Sequence, residues 1–315
     1  MERAKNPTVS VIIPTYNRAH LLGRAIQSVL NQTYQGFELI VVDDGSSDNT
    51  GEVVATFADP RIHYLRHVKN RGAAAARNTA IKTARGEHIA FLDSDDEWLP
   101  EKLEKQMKVF GSVSSRVGVV YTDMWTIGPD GARKYWHSSR VMPEDGIIYD
   151  HLIAGRLADI SMSSVVIRRE CFAKVGMFDE EFPRLIDRDL FIRLSKHFYF
   201  YHIGEALVNY HKTGKRLSSD DRLLIRGQKL ILEKYHGDIA KNRKLLARHQ
   251  YVIGSLLCQS GEIDQGRDYL LEAVRSDPLS IKYLIAATLS LLGERAYNRI
   301  VKLKRRIQPL PEPEP

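Results

Sequence analysis

Apolar runs that stop abruptly at polar clusters place the strongest limit on the fold of this chain. There are three such runs. Residues 9–13 are followed by Pro14, Thr15 and Tyr16, and residues 37–42 are followed by Asp43 and Asp44. Residues 88–92 are followed by Asp93, Ser94, Asp95 and Asp96. Short runs rich in Val, Ile and Leu are typical of buried strands. Each of these strands should therefore end in a polar loop.

Segments with helical spacing separate these runs. Residues 18–32 and 50–57 are predicted to be helices, residues 62–65 a further strand, and residues 73–84 an alanine-rich helix that ends before Gly86. Alternating strands and helices predict an α/β fold with a Rossmann-like, mostly parallel sheet flanked by helices. Ligands of such sheets collect beyond the carboxyl ends of the strands, where the three polar clusters lie.

The rest of the chain is less regular. Strands are predicted at 117–122 and 163–168, a helix at 189–197, an extended segment at 198–203, and helices alone from about Asp220. The expected domains are an α/β domain over residues 1–217, an α-helical C-terminal region over residues 218–308, and a proline-glutamate tail over residues 309–315 that should be disordered.

The composition is that of an ordinary globular protein, with 43% apolar and 27% charged residues. A net charge of +7 fits simple solubility, and it also fits an anionic partner such as a phosphate-bearing substrate, a membrane surface or nucleic acid. Cys171 and Cys258 form no CxxC pair, so a reducing compartment is expected. Without a signal-peptide pattern, and with a late apolar stretch of only residues 283–292, we expect a cytoplasmic protein.

Asp93, Asp95 and Asp96 place three carboxylates within four positions. Their repulsion favours a nearby cation or hydrogen-bond donors, and hard oxygen ligands on a turn suit Mg²⁺ or Mn²⁺ shared with substrate phosphates. The alternative is a solvated turn that caps the helix beginning near Pro100. After the second strand, Asp43 can accept from a base N–H or a ribose hydroxyl, with helix capping as its alternative.

Four segments resemble the motifs of the family 2 glycosyltransferases, which have the GT-A fold. They are Val9 to Asn17, Val41 to Asp48, Asn70 to Asn78, and Phe91 to Asp96, the last of which is similar to the DxD metal motif of the family. Each motif alone is common, whereas four in this order are specific. The clear resemblance covers about residues 8 to 110 and extends more loosely to about residue 217.

The resemblance implies a role for each matching residue. The donor-side residues would be Pro14, Thr15 and Tyr16 around the nucleotide base, Asp43 at the base edge, Arg77 beside the pocket, and Asp93 at the ribose or the metal. Asp95 would ligate the Mn²⁺ or Mg²⁺ ion that bridges the donor diphosphate. Such a cation would stabilise the negative charge that develops on a nucleoside diphosphate leaving group.

A later acidic motif would supply the catalytic base. Family members often carry Glu-Asp before an aromatic-rich helix, and here Ile186 replaces the glutamate while Asp187 matches the position of the base. An inverting transfer needs a carboxylate that takes the proton of the acceptor hydroxyl. Capping of the helix that follows is the alternative for Asp187. The loss of the glutamate affects acceptor contacts more than the base.

The basic segment 211–216 resembles one that closes over the donor in family members. His211 would reach the metal, and Lys215 and Arg216 would neutralise the diphosphate, with Gly214 allowing a lid to move. A solvated basic loop is the alternative.

Two features stand out in the helical region. Residues 251–276 resemble one tetratricopeptide-type helix pair with Gly261 in the turn, and an ordinary helical hairpin is the alternative that we favour. Residues 283–307 read as a basic amphipathic helix, which could lie on an anionic membrane beside a lipid-linked acceptor. The other interpretation, which we favour here, is a terminal helix packed on its neighbours with a solvated basic face.

The expected function is an inverting, metal-dependent transfer of a sugar from a UDP-sugar or similar donor to a glycan or lipid-linked acceptor, in polysaccharide, glycolipid or cell-surface glycan synthesis. A non-catalytic nucleotide-sugar-binding module on the same scaffold is the main alternative, and intact Asp95 and Asp187 disfavour it. A dehydrogenase is disfavoured because the loop after the first strand lacks G-x-G-x-x-G. A nucleic-acid partner is not expected.

Overall fold

The computed structural model describes residues 7–136, 148–155, 160–212, 220–295 and 297–299. Its described residues form two compact units. One runs to Glu180 and resumes at Ile186, and the other consists of Glu181–Leu185 and the helices from Asp221 onward. The domain boundary predicted between residues 217 and 218 lies outside the described residues and stays a prediction, as does the disorder of residues 309–315.

The first unit contains the sheet. Its strands are β1 (Val9–Thr15), β2 (Phe37–Asp43), β3 (Ile62–Arg66), β4 (His88–Phe91), β5 (Glu97–Trp98), β6 (Val117–Ile127), β7 (Arg133–Trp136), β8 (Val166–Arg168) and β9 (Tyr199–His211). Its helices are α1 (Ala19–Leu30), α2 (Thr50–Ala55), α3 (Ala73–Thr83), α4 (Lys102–Ser112), α5 (Tyr149–Ile153), α6 (Arg169–Val175) and α7 (Ile186–Ser195), with a 3₁₀ turn at Met162–Ser164.

The strand order among the described residues is β3-β2-β1-β4-β8-β6-β9-β5, with β7 paired to β6. Pairing from β3 through β4 is parallel, as alternating strands and helices predicted. Beyond β4 the sheet is mixed, because β8 runs antiparallel to both β4 and β6 while β6 and β9 are parallel. The predicted α/β fold class is confirmed, with parallel pairing concentrated in the first half of the sheet.

The core of this unit holds β1 against α1. Val9, Val11 and Ile13 share one face of β1 and pack with Leu22 and Ile26 of α1, and all five side chains are fully buried. Alternation along the strand and i, i+4 spacing along the helix bring these side chains together. Burial of each side chain contributes about 1.5–3 kcal/mol to the stability of the folded state. The loop at the carboxyl end of β1 therefore begins at a tightly packed strand.

The second unit is helical, as predicted. Its helices are α8 (Asp221–Lys234), α9 (His236–Ile239), α10 (Arg243–Gln259), α11 (Ile263–Ser276) and α12 (Ile281–Ser290). The predicted turn between α10 and α11 is confirmed, and Gly261 has a φ of 94° there. The two helices approach so closely that a Cβ on Gly266 would lie 2.5 Å from the Cys258 Sγ.

The prediction of a single helix over residues 283–307 is wrong for the part of that range that the structure describes. α12 ends at Ser290, and helical residues resume only at Glu294. Gly293 between them has a φ of 81°, a left-handed conformation that interrupts a right-handed helix. Among the described residues, every helix is too short or too polar to span a lipid bilayer.

Candidate active site

The loops that follow β1, β2 and β4 meet at one edge of the sheet. Thr15 is paired with Asp43 across β1 and β2, and Ile12 with Phe91 across β1 and β4. The strand order reverses at β1, since β2 and β3 lie on one side of it and β4 on the other. A crevice at such a switch point is where open α/β sheets bind their ligands.

The end of β1 presents the first candidate residues. Pro14 is partly buried in β1, and Thr15 is 3% exposed. The Oγ1 of Thr15 has no hydrogen-bond partner within the part of the chain that the structure describes, so a polar ligand would satisfy it. Tyr16 is 46% exposed, which leaves its ring available to a nucleotide base. The predicted roles of these residues stay predictions.

Asp43 lies in the β2 loop (residues 43–46) and is already hydrogen-bonded within the protein. Its Oδ1 accepts from the Ser46 backbone N–H at 2.8 Å and its Oδ2 from the Tyr64 hydroxyl at 2.6 Å. Burial and the Asp43 carboxylate raise the pKa of Tyr64 above its usual range. Because a carboxylate has about four acceptor positions, a base N–H can still bind, and the role assigned to Asp43 stays a prediction.

Asp44, next in the β2 loop, locks the entry to α3. Its Oδ1 accepts from the Arg71 backbone N–H at 2.9 Å and its Oδ2 from the Gly72 N–H at 2.7 Å. His67 Nδ1 lies 2.7 Å from the same Oδ1. Gly72 has a φ of 93°, a region that favours glycine, and directly precedes α3. Sequence reasoning missed this structural role, because the partners are remote in the chain.

Arginine side chains pair with the acids of the acidic turn (Asp93–Asp96). Arg77 Nη2 donates to Asp93 Oδ1 and Arg18 Nη1 to Asp95 Oδ2, both at 2.6 Å. Arg24 Nη2 donates to the Asp95 carbonyl at 2.7 Å. The Asp93 side chain is 36% exposed and that of Asp95 12%. These acids are therefore balanced by side-chain cations, of which Arg18 is partly exposed and Arg77 is almost fully buried. Sequence reasoning missed Arg18 and Arg24.

Ser163 fastens the acidic turn to the rest of the sheet. Its Oγ donates to Asp96 Oδ2 at 2.6 Å and accepts from the Asp93 backbone N–H at 3.1 Å. Its carbonyl accepts from the Trp98 indole N–H at 2.7 Å. Asp96 is fully buried, so its carboxylate supports the turn from inside. No sequence signal marks Ser163, which lies 67 residues after Asp96.

The residues around the acidic turn fit a divalent cation as a partial ligand set. Asp93 and Asp95 offer hard carboxylate oxygens. Burial lowers the pKa of His211, and its Nε2 lies 3.2 Å from Glu97, so its neutral imidazole can act as a ligand near pH 7. Within the described ranges, no three His, Cys, Asp or Glu side chains are grouped to hold a metal ion unaided. A cation here would need substrate oxygens, as phosphate-bound Mg²⁺ does.

Asp187 stands at the start of α7 within electrostatic reach of Arg77 and Asp93. Burial raises its pKa, and the Asp93 carboxylate adds to this, while the Arg188 backbone N–H and Arg77 act in the opposite direction. The net shift is upward although the side chain keeps some solvent contact. A carboxylate of raised pKa beside an arginine suits proton transfer.

The structure thus brings Arg77, Asp93 and Asp187 together although they lie on three different segments. Asp95 joins them through the acidic turn, and β9 brings His211 to Asp96, whose Oδ1 accepts from the His211 backbone N–H at 3.4 Å. The predicted diphosphate contacts of Lys215 and Arg216 fall on residues outside the described ranges. Acids and arginines thus gather at the switch point of an α/β sheet, the place where proteins of the doubly wound α/β class bind their ligands.

Comparison with known proteins makes this class more specific. Residues 10–176 match the family described as glycosyl transferase family 2. The chain is 35% identical over 222 residues to the putative teichuronic acid biosynthesis glycosyltransferase TuaG of Bacillus subtilis, a match that covers 68% of this chain and 82% of TuaG. The chain belongs to glycosyl transferase family 2, and the predicted resemblance is confirmed.

A second relative matches over a shorter region. The UDP-Glc:alpha-D-GlcNAc-diphosphoundecaprenol beta-1,3-glucosyltransferase WfgD of Escherichia coli is 54% identical over 101 residues, which cover 32% of this chain and 40% of WfgD. This match therefore spans less than half of either protein.

Solved structures share the fold. S. aureus TarS 1-349 in complex with UDP-GlcNAc superposes with a TM-score of 0.71 at 21% identity, covering 96% of this chain and 92% of TarS 1-349. The mannosyltransferase PcManGT from Pyrobaculum calidifontis, in complex with GDP-Man and Mn²⁺, gives a TM-score of 0.57 at 18% identity, covering 98% and 89%. At such identities the similarity establishes the fold alone, and the predicted GT-A type architecture is confirmed.

Proposed function

We propose that this chain is an inverting glycosyltransferase that uses Mn²⁺ or Mg²⁺ to move a sugar from a UDP-sugar to a hydroxyl of a glycan or lipid-linked acceptor, in the cytoplasm and for cell-surface polysaccharide synthesis. The observation that carries this proposal is the convergence of Arg77, Asp93 and Asp187. The name of WfgD includes a UDP-Glc donor and a diphosphoundecaprenol-linked acceptor, and that of TuaG includes teichuronic acid biosynthesis. Both names support the proposed substrates.

The donor would lie across the carboxyl ends of β1, β2 and β4. Its base would contact Tyr16 and Asp43, and its diphosphate would face the acidic turn. Arg77 is 6% exposed, so its guanidinium is already oriented before the donor binds. Asp93 and Asp95, with His211 as a further ligand, would hold a divalent cation, which would supply positive charge to stabilise the diphosphate leaving group. Lys215 and Arg216 are proposed to neutralise the same group.

Asp187 would act as the catalytic base. It takes the proton from the acceptor hydroxyl while that oxygen attacks the anomeric carbon and the bond from this carbon to the diphosphate breaks. A single displacement of this kind inverts the anomeric configuration. The partial solvent contact of Asp187 leaves its carboxylate open to an acceptor hydroxyl.

Calorimetric titration of UDP with and without Mn²⁺ tests the metal assignment. Asp95→Ala should abolish Mn²⁺-dependent UDP binding and leave the circular dichroism spectrum unchanged, because Asp95 pairs with a side chain that solvent can also satisfy. Asp264→Ala, which removes an exposed acid of the helical unit, is the matched control. Unchanged UDP binding in Asp95→Ala would reject the metal assignment.

Product formation separates the enzyme from a non-catalytic binding module. The native chain should release UDP from a UDP-sugar when Mn²⁺ and a lipid-linked GlcNAc acceptor are both present. UDP binding without any turnover, across a panel of UDP-sugars and acceptors, would favour the binding module.

A further inference from the structure

α12 and the segments that directly precede and follow it present large aliphatic side chains outward. Six side chains, between 43% and 91% exposed, form what we call the aliphatic ridge: Leu279, Ile281, Leu284, Ile285, Leu291 and Leu292. The spacing i, i+3 and i+4 places Ile281, Leu284 and Ile285 on one face of α12. Clusters of exposed aliphatic side chains on a soluble unit mark a surface that contacts a protein or a membrane.

The opposite face of α12 is already committed to packing. Tyr283, Ala286, Ala287 and Ser290 are buried, and the two alanines join a cluster with residues of α10 and α11. Tyr283 and the small residues of this helix therefore face its neighbours, while Ile281, Leu284 and Ile285 face away. One face of α12 thus serves internal packing, and among the described residues the aliphatic face is left uncovered.

Cations flank the aliphatic ridge. Between residues 278 and 293 the sequence contains a single charged residue, Lys282, which is exposed. Arg295 and Arg299 follow and are exposed as well, whereas Asp277 and Glu294 are the acids at the two ends of the stretch. The sequence continues with four more cations, Lys302, Lys304, Arg305 and Arg306. Among the described residues of this stretch, three cations stand against two acids, so the net charge is positive.

We propose that the aliphatic ridge docks on an anionic phospholipid surface. Its Leu and Ile side chains would enter the boundary between headgroups and acyl chains, and Arg295 and Arg299 would face lipid phosphates, while Lys282 lies over the Tyr251 ring. A second copy of the chain fits less well, because a two-fold contact through the ridge would set two surfaces of the same net positive charge against each other. The proposal goes beyond the transfer reaction and is independent of it, although docking would place the chain beside lipid-linked acceptors.

Co-sedimentation of the full chain with phospholipid vesicles tests the proposal. The native chain should bind vesicles that contain phosphatidylglycerol, bind pure phosphatidylcholine vesicles weakly, and lose binding as salt rises. Leu284→Ser combined with Ile285→Ser should lower binding to the anionic vesicles by about tenfold or more. Leu271→Ser, which changes an exposed aliphatic residue of α11 outside the ridge, should leave binding unchanged.

The measurements that accompany the sedimentation separate the outcomes. Circular dichroism and Mn²⁺-dependent UDP binding of the double variant should match the native chain, so a loss of vesicle binding alone supports docking. Equal sedimentation of the double variant and the native chain, or no sedimentation of either, would overturn the proposal. Light scattering that shows a native dimer and a monomeric double variant, with neither bound to vesicles, would assign the ridge to a second copy instead. Absence of UDP binding in the native chain would count against the proposed transfer and not against docking.

Discussion

Two acidic strand ends of the same sheet, the β2 loop and the acidic turn, have similar sequences and different partners. In the β2 loop, Asp43 and Asp44 are almost fully buried and accept from backbone N–H groups. In the acidic turn, Asp93 and Asp95 keep some exposure and pair with Arg77 and Arg18. Both motifs follow a buried strand, so the difference arises from what the rest of the chain brings to each of them.

The kind of donor decides what each carboxylate can do. A backbone N–H is fixed by the chain, so removing its acceptor leaves a buried donor unsatisfied. Arg18 is partly exposed and can turn toward another anion, and the Asp95 carboxylate can then bind a ligand, whereas the buried Arg77 stays in place beside Asp93. The β2 loop therefore holds structure together, while the acidic turn can exchange partners. Predictions for variants at the two ends follow from this contrast.

The largest effect on transfer is expected for a substitution of Asp187, the proposed catalytic base. Asp187→Asn should bind UDP and Mn²⁺ as the native chain does and lose transfer by about a hundredfold or more, because the amide cannot take the acceptor proton. Steady-state turnover and calorimetric donor binding measured on the same preparation test this. Asp150→Asn, at an exposed acid of α5, serves as the control. Turnover near the native rate would exclude Asp187 as the base.

The next effect separates the two strand ends by stability. Asp44→Ala should lower the free energy of unfolding by about 3 kcal/mol, because the Arg71 and Gly72 N–H groups lose their acceptors in a buried loop. Asp95→Ala should lower it by less than about 1 kcal/mol, since its partner Arg18 is partly exposed and solvent can satisfy it instead. Urea denaturation of both variants provides the comparison. Equal losses of unfolding free energy in the two variants would show that the β2 loop and the acidic turn do not differ in their structural role.

The pH profile of transfer should be set by Asp187 and by the acidic turn beside it. Asp187 must be deprotonated to act as a base, and burial and the nearby Asp93 raise its pKa, partly offset by Arg77. The acid limb of kcat/KM should therefore lie at higher pH than for an ordinary aspartate, with activity falling about tenfold per pH unit below it. Initial rates across a pH series with saturating Mn²⁺ test this. An acid limb at the usual aspartate pKa would contradict the assignment.

The smallest effect concerns the anchor of the acidic turn. Ser163→Ala removes the hydrogen bonds of its hydroxyl to Asp96 and to the Asp93 backbone N–H, and should weaken the apparent affinity for Mn²⁺ by about three- to tenfold, with little change in kcat at saturating Mn²⁺. Ser163→Thr keeps the hydroxyl and should restore most of the affinity. Ser164→Ala, in the same 3₁₀ turn, is the control, because its hydroxyl donates to the Ser161 carbonyl instead. A fall in kcat with unchanged Mn²⁺ affinity would exclude this anchoring role.

Local sequence patterns were sufficient to predict many of the strands and helices of the first unit. β1, β2 and β4 occur where the apolar runs predicted them, and α1 and α3 occur between them. The register of β1 with its neighbours then brings the three polar clusters to one edge. The helical unit is harder to predict, since the single helix expected over residues 283–307 breaks at Gly293. The sequence alone does not show whether a glycine in a polar stretch will adopt a positive φ, because glycine populates positive and negative φ about equally.

The sequence by itself determined the alternation of strands and helices, the order of the motifs and the family, because burial periodicity and motif spacing are properties of neighbouring residues. Only the tertiary structure decided which acids are locked and which are exchangeable. Arg18 reaches Asp95 across 77 residues and Ser163 reaches Asp96 across 67. The outward direction of the aliphatic ridge was decided in the same way. Such choices depend on contacts between distant segments, and these contacts form only when the chain has packed.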